Sequence, residues 1–115
     1  MDTEKLQKFA ELYEKESFER LCAGTRKTWD VMGKNYTEEE VEEHNKPYAK
    51  VSTIRGKKYT KIDRDHSGRY MVVNNTGEIY GIKAYGVIHK GHFYGTLDTI
   101  NDYYWGEYTA YKKPS

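Results

Sequence analysis

The sequence has one cysteine, Cys22, among its 115 residues. An intrachain disulfide therefore cannot form, which favours a reducing, intracellular setting. No stretch approaches the roughly 20 consecutive apolar residues of a transmembrane helix, so we expect no membrane partner. The charged N-terminal segment also lacks the apolar core of a secretory signal. Together these absences predict a cytoplasmic protein.

Signatures of cofactors and metals are also missing. The glycines between residues 77 and 95 recur every four or five residues, but the phosphate-loop pattern GxxxxGK[ST] does not occur. Cys22 and His44 lie far apart without a CxxC pair, whereas a zinc site needs three or four ligands. The acidic stretch 63–68 lacks the closing glutamate of a calcium loop. We therefore expect no cofactor and no metal.

Tyrosine is abundant in the second part of the chain. Ten of the twelve tyrosines fall within residues 47–111, in short segments that resemble strands. A tyrosine joins an apolar ring to a polar hydroxyl, which suits half-buried surfaces. Strand alternation sends neighbouring side chains to opposite faces, so about half of these tyrosines are expected to pack under a helix. The others are expected to form a surface for a partner.

Charge divides the chain in a similar way. Residues 1–46 carry 12 acidic and 8 basic side chains, whereas residues 47–115 carry 6 acidic and 11 basic ones. Two halves of opposite sign can attract each other within the fold. Alternatively, one half binds an anion while the other binds a cationic surface.

Hydrophobic periodicity predicts an α+β fold in one domain, with a helical acidic part at 1–46. Apolar residues at three- and four-residue steps predict a helix over 3–23, with Thr3 as its N-cap and Gly24 just beyond its end. The next segment predicts a short helix or an irregular apolar stretch that ends at Gly33.

A second, short helix is predicted by a capping box. Thr37 and Glu40 have the required spacing, and the acidic segment that follows is expected to stop before Pro47. Val41 is the one clear apolar anchor of this segment. We therefore expect the acidic helix to lie on the surface.

From residue 47 to residue 111 the alternation has a period of two, which predicts a curved antiparallel sheet of four to five strands. Residues 63–68 are expected to form a polar loop, and 74–77 a hairpin turn because Asn and Gly accept positive φ. A fifth strand is expected after a loop at 87–91. The aromatic tail is expected to pair at a sheet edge.

The basic and aromatic side chains of the sheet half predict a binding surface for single-stranded nucleic acid, because bases stack on rings while lysine and arginine contact phosphates. The RNA-recognition motif is absent, and the isoelectric point of about 7.8 is low for a dedicated nucleic-acid binder. A host protein therefore stays an alternative partner. The candidate binding residues are Lys57, Lys58, Tyr59, Arg69, Lys83, Tyr85, His89, Lys90, His92 and Tyr94.

Two other functions are left open by the sequence. His89 and His92 have H-x-x-H spacing, and with His66 they are candidates for the catalytic residues of a small phosphodiesterase or nuclease. The acidic helix is a candidate protein interface for an inhibitor of a basic nucleic-acid-binding protein. Its candidate interface residues are Glu38, Glu39, Glu40 and Glu43.

Four segments together carry a family resemblance: PYAKVSTIRGKKYTKI, GRYMVV, TGEIYGIKAYG and YGTLDTI. Over roughly residues 47–100 they resemble a class of small, mostly uncharacterised tailed-phage and prophage proteins. The chain departs from that pattern by carrying HKGH where a Pro/Lys-rich stretch is more usual. The resemblance implies a phage accessory protein that acts inside a bacterial cell. Such proteins often bind host machinery or defence components, anti-CRISPR proteins among them.

The leading hypothesis is therefore a non-enzymatic binding protein of phage type. It would engage nucleic acid or a host protein through its Tyr/Lys-rich sheet face and glycine-rich loop. A homodimer is left open as a further form of association.

Overall fold

The computed structural model describes residues 2–114 and confirms the α+β fold. Two helices and a five-strand antiparallel sheet form the body, and a two-strand sheet completes it. The helices are α1 (Thr3–Val31) and α2 (Glu38–Ala49). The strands are β1 (Val51–Arg55), β2 (Tyr59–Arg64), β3 (Ser67–Val73), β4 (Glu78–Ala84), β5 (Val87–Thr96), β6 (Tyr103–Trp105) and β7 (Ala110–Lys112), with a short 3-10 helix at Ile100–Asp102.

Helix α1 is longer than predicted, and its N-cap is Asp2 rather than Thr3. The Asp2 carboxylate accepts the backbone N–H of Glu4 at 2.9 Å. Gly24 does not end the helix, because the segment that follows it packs on α2 and repays the helix-forming cost of glycine, about 1 kcal/mol. The helix is instead terminated at Gly33, whose φ of 72° is a left-handed conformation that glycine adopts without strain.

Helix α2 begins with the predicted capping box but runs through Pro47 instead of stopping before it. Pro47 lies in the last turn, where its missing N–H removes one hydrogen bond and leaves the rest of the helix intact. The prediction of a surface helix with one anchor was incomplete. Val41, Asn45 and Ala49 recur every four residues and are all buried, so α2 packs one face against α1. The boundary between the helical and sheet parts therefore falls at residue 50 rather than 46.

The five-strand sheet is a meander in the order β1-β2-β3-β4-β5. The hairpin turn at 74–77 is confirmed, with Gly77 at φ 76°. The predicted polar loop 63–68 shrinks to a two-residue turn at Asp65 and His66, both with positive φ, because its ends extend β2 and β3. The predicted loop 87–91 instead forms the first half of β5.

The C-terminal tail does not pair with an edge of the main sheet. Strands β6 and β7 pair with each other, with Trp105 opposite Ala110, and both of these residues are buried. The indole N–H of Trp105 donates to the carbonyl of Ile100 at 2.9 Å. The tail therefore closes the core through Trp105.

The core lies between α1, one face of the five-strand sheet and the β6–β7 hairpin. Tyr70 is its centre, with ring centroids 6.3 Å from Phe9, 5.3 Å from Tyr13, 5.8 Å from Tyr94 and 5.3 Å from Trp105. Burial raises the pKa of Tyr70 well above its usual range. We call this side of the sheet the inner face.

Candidate functional site

The opposite side of the sheet carries a row of side chains that crosses four strands. Lys61 pairs with Met71, Met71 with Tyr80, and Tyr80 with Phe93. Directly opposed residues of antiparallel strands share a face, so this row lies on the side away from Tyr70. The rings of Tyr80 and Phe93 are 5.4 Å apart. We call this side the outer face; it consists of Tyr59, Lys61, Met71, Val73, Tyr80, Ile82, Ile88 and Phe93.

A groove of about 270 Å³ runs over the outer face near the β3–β4 turn. Tyr59 and Tyr80 supply aromatic walls, and Ile88 supplies an aliphatic one. Lys58 and Lys90, two of the sequence-predicted binding residues, lie at its edge together with Asn75 and Val73. The groove therefore combines rings with ammonium groups at a scale that suits one or two planar ligand groups.

Tyr85 extends the aromatic surface toward the β2–β3 end of the sheet. Its side chain is half exposed, and its hydroxyl donates to Asp63 Oδ2 at 2.9 Å. This hydrogen bond raises the pKa of Tyr85, with burial as the second cause. The Lys61 ammonium lies 4.7 Å from the centre of the Tyr85 ring, a cation–π contact.

Gly68 gives the Tyr85 ring its place on the sheet. A Cβ atom at position 68 would lie 2.8 Å from Tyr85 Cδ1, closer than packed carbon atoms approach. A second groove, of about 520 Å³, opens beside this ring and includes Lys83 and His66. The small residue at 68 thus lets an aromatic side chain lie across the strand.

The electrostatics of the outer face favour a negatively charged partner. Within residues 2–114, none of Lys58, Lys61, Lys83 and Lys90 forms an ion pair with an acidic side chain. Glu78 accepts a hydrogen bond from the Tyr80 hydroxyl at 3.3 Å. Burial, and then the charge of Glu78, raise the pKa of Tyr80 and keep this phenol neutral.

Two residues of the predicted binding set lie in the interior. Arg69 is the extra residue of a β-bulge between β2 and β3, and its Nη1 lies 2.6 Å from Glu107 Oε2. Tyr94 packs its ring against Tyr70 in the core. Both side chains are buried, so they take no part in an outer-face site. Tyr70 and Tyr94 are the buried tyrosines of residues 47–111, fewer than the half that alternation predicted.

The candidate catalytic histidines do not form an acid–base pair around a substrate position. The rings of His89 and His92 are stacked, with centroids 3.9 Å apart and planes within 8°. General acid–base cleavage of a phosphodiester places two imidazoles on opposite sides of the phosphate, and stacked rings leave no space between them. His66 lies in the β2–β3 turn. Within residues 2–114 no three His, Cys, Asp or Glu side chains come together to hold a metal ion.

Three of the four candidate interface glutamates on α2 have local partners. Glu38 forms an ion pair with Arg26 at 2.7 Å, Glu40 completes the capping box, and Glu43 pairs with a lysine one turn further on. Glu39 is exposed. The ion pair of Glu38 joins α2 to α1, whereas the contacts of Glu40 and Glu43 lie within α2 and its N-cap, so these glutamates have structural roles of their own.

The chain shows no significant match to a protein-family model, to a curated protein or to a solved structure. The resemblance to tailed-phage proteins therefore stays a prediction. Neither helix within residues 2–114 combines the length and the apolar character needed to cross a bilayer.

Proposed function

We propose that this protein is a non-enzymatic binding protein that holds single-stranded nucleic acid on the outer face of its sheet. The observation that carries the proposal is the row of half-buried and exposed aromatic side chains on the sheet face away from the core, beside lysines that form no ion pair within residues 2–114. Apolar surface that a fold leaves uncovered commonly marks a binding site.

The choice of single-stranded nucleic acid follows from the chemistry of this face. Each unpaired base has an aromatic plane, and stacking on a side-chain ring is worth about 1–3 kcal/mol per base. Tyr59, Tyr80 and Phe93 offer such rings, whereas the bases of a duplex are stacked on each other and inaccessible to them. Lys58 and Lys90 line the same groove as two of these rings, so their ammonium groups are available to the phosphates of a bound strand.

The setting is the second part of the proposal. The resemblance of residues 47–100 to tailed-phage proteins supports an accessory role inside a bacterial cell. A pull-down from bacterial lysate, with and without nuclease treatment, tests this part. Retention that survives nuclease treatment would replace nucleic acid by a host protein as the partner.

Fluorescence anisotropy with a short labelled oligothymidine tests the binding function. If about three phosphates are neutralised, log K should fall with log salt with a slope of about −2. The double variant Lys58→Gln, Lys90→Gln should weaken binding and flatten this slope. The matched control is Lys15→Gln, Lys27→Gln, which removes the same charge from exposed positions on α1.

Two results would contradict the proposal. One is the absence of an anisotropy change even at low salt. The other is an equal loss of affinity in both double variants, since this would mean that net charge rather than the outer face attracts the oligonucleotide.

A further inference from the structure

Three guanidinium groups converge on one carboxylate at the inner side of the fold. Arg20 comes from α1, Arg64 from the end of β2 and Arg69 from β3, and each lies within ion-pair distance of Glu107. Glu107 itself sits in the turn between β6 and β7. We call these four residues the arginine cluster.

The arginine cluster carries two more positive than negative charges. The side chains of Arg64 and Arg69 are only 6% and 9% exposed, whereas that of Glu107 is 46% exposed. Within residues 2–114 no second acidic side chain forms an ion pair with these arginines. Buried charge is costly unless it is paired, so the cluster favours a further anion.

Part of the cluster has a clear structural task. Arg20 Nη1 donates to the Trp105 carbonyl at 2.7 Å, and Arg69 Nη1 donates to the Glu107 carbonyl at 3.0 Å. These bonds fix the turn between β6 and β7. They use some of the guanidinium N–H donors of the cluster, and other donors form no such bond.

Several guanidinium N–H groups of the arginine cluster form no hydrogen bond within the described part of the chain. Arg64 Nε, Arg64 Nη1, Arg69 Nε and Arg20 Nε are buried and have no hydrogen-bond acceptor among residues 2–114. Buried polar groups in folded proteins are nearly always paired. A water molecule would accept such donors but would not offset the two charges.

We infer that Arg20, Arg64 and Arg69 form a binding site for a phosphate monoester dianion, and that Glu107 occupies this site when no ligand is bound. A dianion matches the charge excess, and guanidinium groups bind phosphate oxygens through paired N–H donors. The inference is independent of the proposed function, because the cluster faces the inner side and the nucleic-acid site the outer side.

Glu107 is placed to act as an internal competitor. Burial raises the pKa of its carboxyl group, but hydrogen bonds from Arg64 and Arg69 outweigh burial and hold the pKa below its usual range. The carboxylate is therefore ionised at neutral pH. Because its side chain is half exposed on a short turn, it can leave the arginines by rotation into solvent.

Nuclear magnetic resonance of the arginine Nε–H groups tests the site in the wild-type protein. Titration with inorganic phosphate should shift the Arg64 and Arg69 signals in a saturable manner. Sodium chloride at matched ionic strength should not. Glu107→Gln removes the competing charge and should tighten phosphate binding by roughly tenfold or more, since a hydrogen bond to a charged group is worth about 1.5–3 kcal/mol.

The source of the phosphate is distinguished by a competition arm. A 5′-phosphorylated oligonucleotide that displaces inorganic phosphate, while its 5′-hydroxyl twin does not, would identify the end of a strand as the ligand. If both oligonucleotides displace inorganic phosphate equally poorly, the ligand is free phosphate or a small phosphate ester.

The inference fails if wild-type Nε–H signals respond to phosphate and to chloride alike. This measurement decides the question even if Glu107→Gln does not fold. The variant Lys58→Gln, Lys90→Gln should keep the phosphate response unchanged, so a failure of the arginine site and a failure of the outer-face site give different results.

Discussion

The two faces of the five-strand sheet are both rich in aromatic side chains, yet they have different surroundings. On the inner face Tyr70 meets four other rings and is shielded by α1 and Trp105. On the outer face Tyr80 and Phe93 form a pair in which Tyr80 is half-buried and Phe93 is 49% exposed. The abundance of tyrosine therefore does not say whether a strand builds a core or a binding surface.

The two faces differ in the side chains that lie between their aromatic rings. Inner positions such as Ile62 and Val72 are aliphatic and fully buried in the core, so no charge is buried at these positions. Outer positions are interrupted by lysines such as Lys61, whose ammonium group must stay in water or meet an anion. The lysines therefore distinguish the outer face from the aliphatic part of the inner face.

The largest expected effect is on the stability of the inner face. Trp105→Ala should lower the free energy of unfolding by about 3–5 kcal/mol, because Trp105 is fully buried and its removal leaves a cavity. Phe93→Ala, at a position 49% exposed, should lower it by less than about 1 kcal/mol. Urea denaturation measures both values. Similar losses would mean that the outer face is part of the core.

The next largest effect is on ligand binding, where a substitution on the outer face should matter more than one elsewhere on the surface. Phe93→Ala should weaken oligothymidine binding by about 1–3 kcal/mol through the loss of one stacking position. The matched control is Tyr48→Ala, because Tyr48 is 50% exposed on α2 and lies outside the outer face. Anisotropy titration compares them. A control that weakens binding as much as Phe93→Ala would remove the outer face as the binding site.

A pH-dependent effect is expected from the arginine cluster. The pKa of Glu107 is lower in the folded protein than its ordinary value of 4.5. The stability that its ionised form contributes is therefore present above that ordinary value and is lost as the pH falls through the folded-state pKa. Urea denaturation of wild type and Glu107→Gln across this acidic range should show a shallower fall for the variant. Parallel curves would contradict the ion pairing.

The smallest expected effect lies outside both faces. Thr37→Ala removes the side chain that caps α2 and should lower the free energy of unfolding by about 1 kcal/mol. Oligothymidine binding should stay unchanged, because α2 packs on α1 and contributes no residue to the outer face. A loss of binding in this variant would indicate that the helical hairpin takes part in recognition.

Much of the fold follows from local signals in the sequence. The capping box at Thr37, the terminator Gly33 and the hairpin turn at 74–77 act over a few residues, and all three are confirmed. The elements that differ from the prediction depend on contacts between residues far apart in the sequence. Helix α1 continues past Gly24 because α2 packs on it, and the tail closes on itself because Trp105 enters the core.

The sequence predicted the basic and aromatic chemistry of the candidate site, but not all of the residues that form it. Lys58, Tyr59 and Lys90 lie together in one groove, as a basic and aromatic surface requires. The side chain of Arg69 lies in the interior because a β-bulge changes the face of the sheet on which it projects. A bulge has no reliable signal in the sequence. Tyr80 and Phe93 were missed, because the strand register that places them on the side away from Tyr70 depends on the pairing of β3, β4 and β5.

Chemical-shift mapping with a short oligothymidine shows directly which residues of the sheet contact the ligand. Amide and side-chain signals of Tyr59, Tyr80 and Phe93 should shift in a saturable and salt-dependent manner. Signals of the core, exemplified by Tyr70, should stay in place. Shifts confined to α2, or no saturable shift at low salt, would contradict the claim that the open face of the sheet is the binding surface.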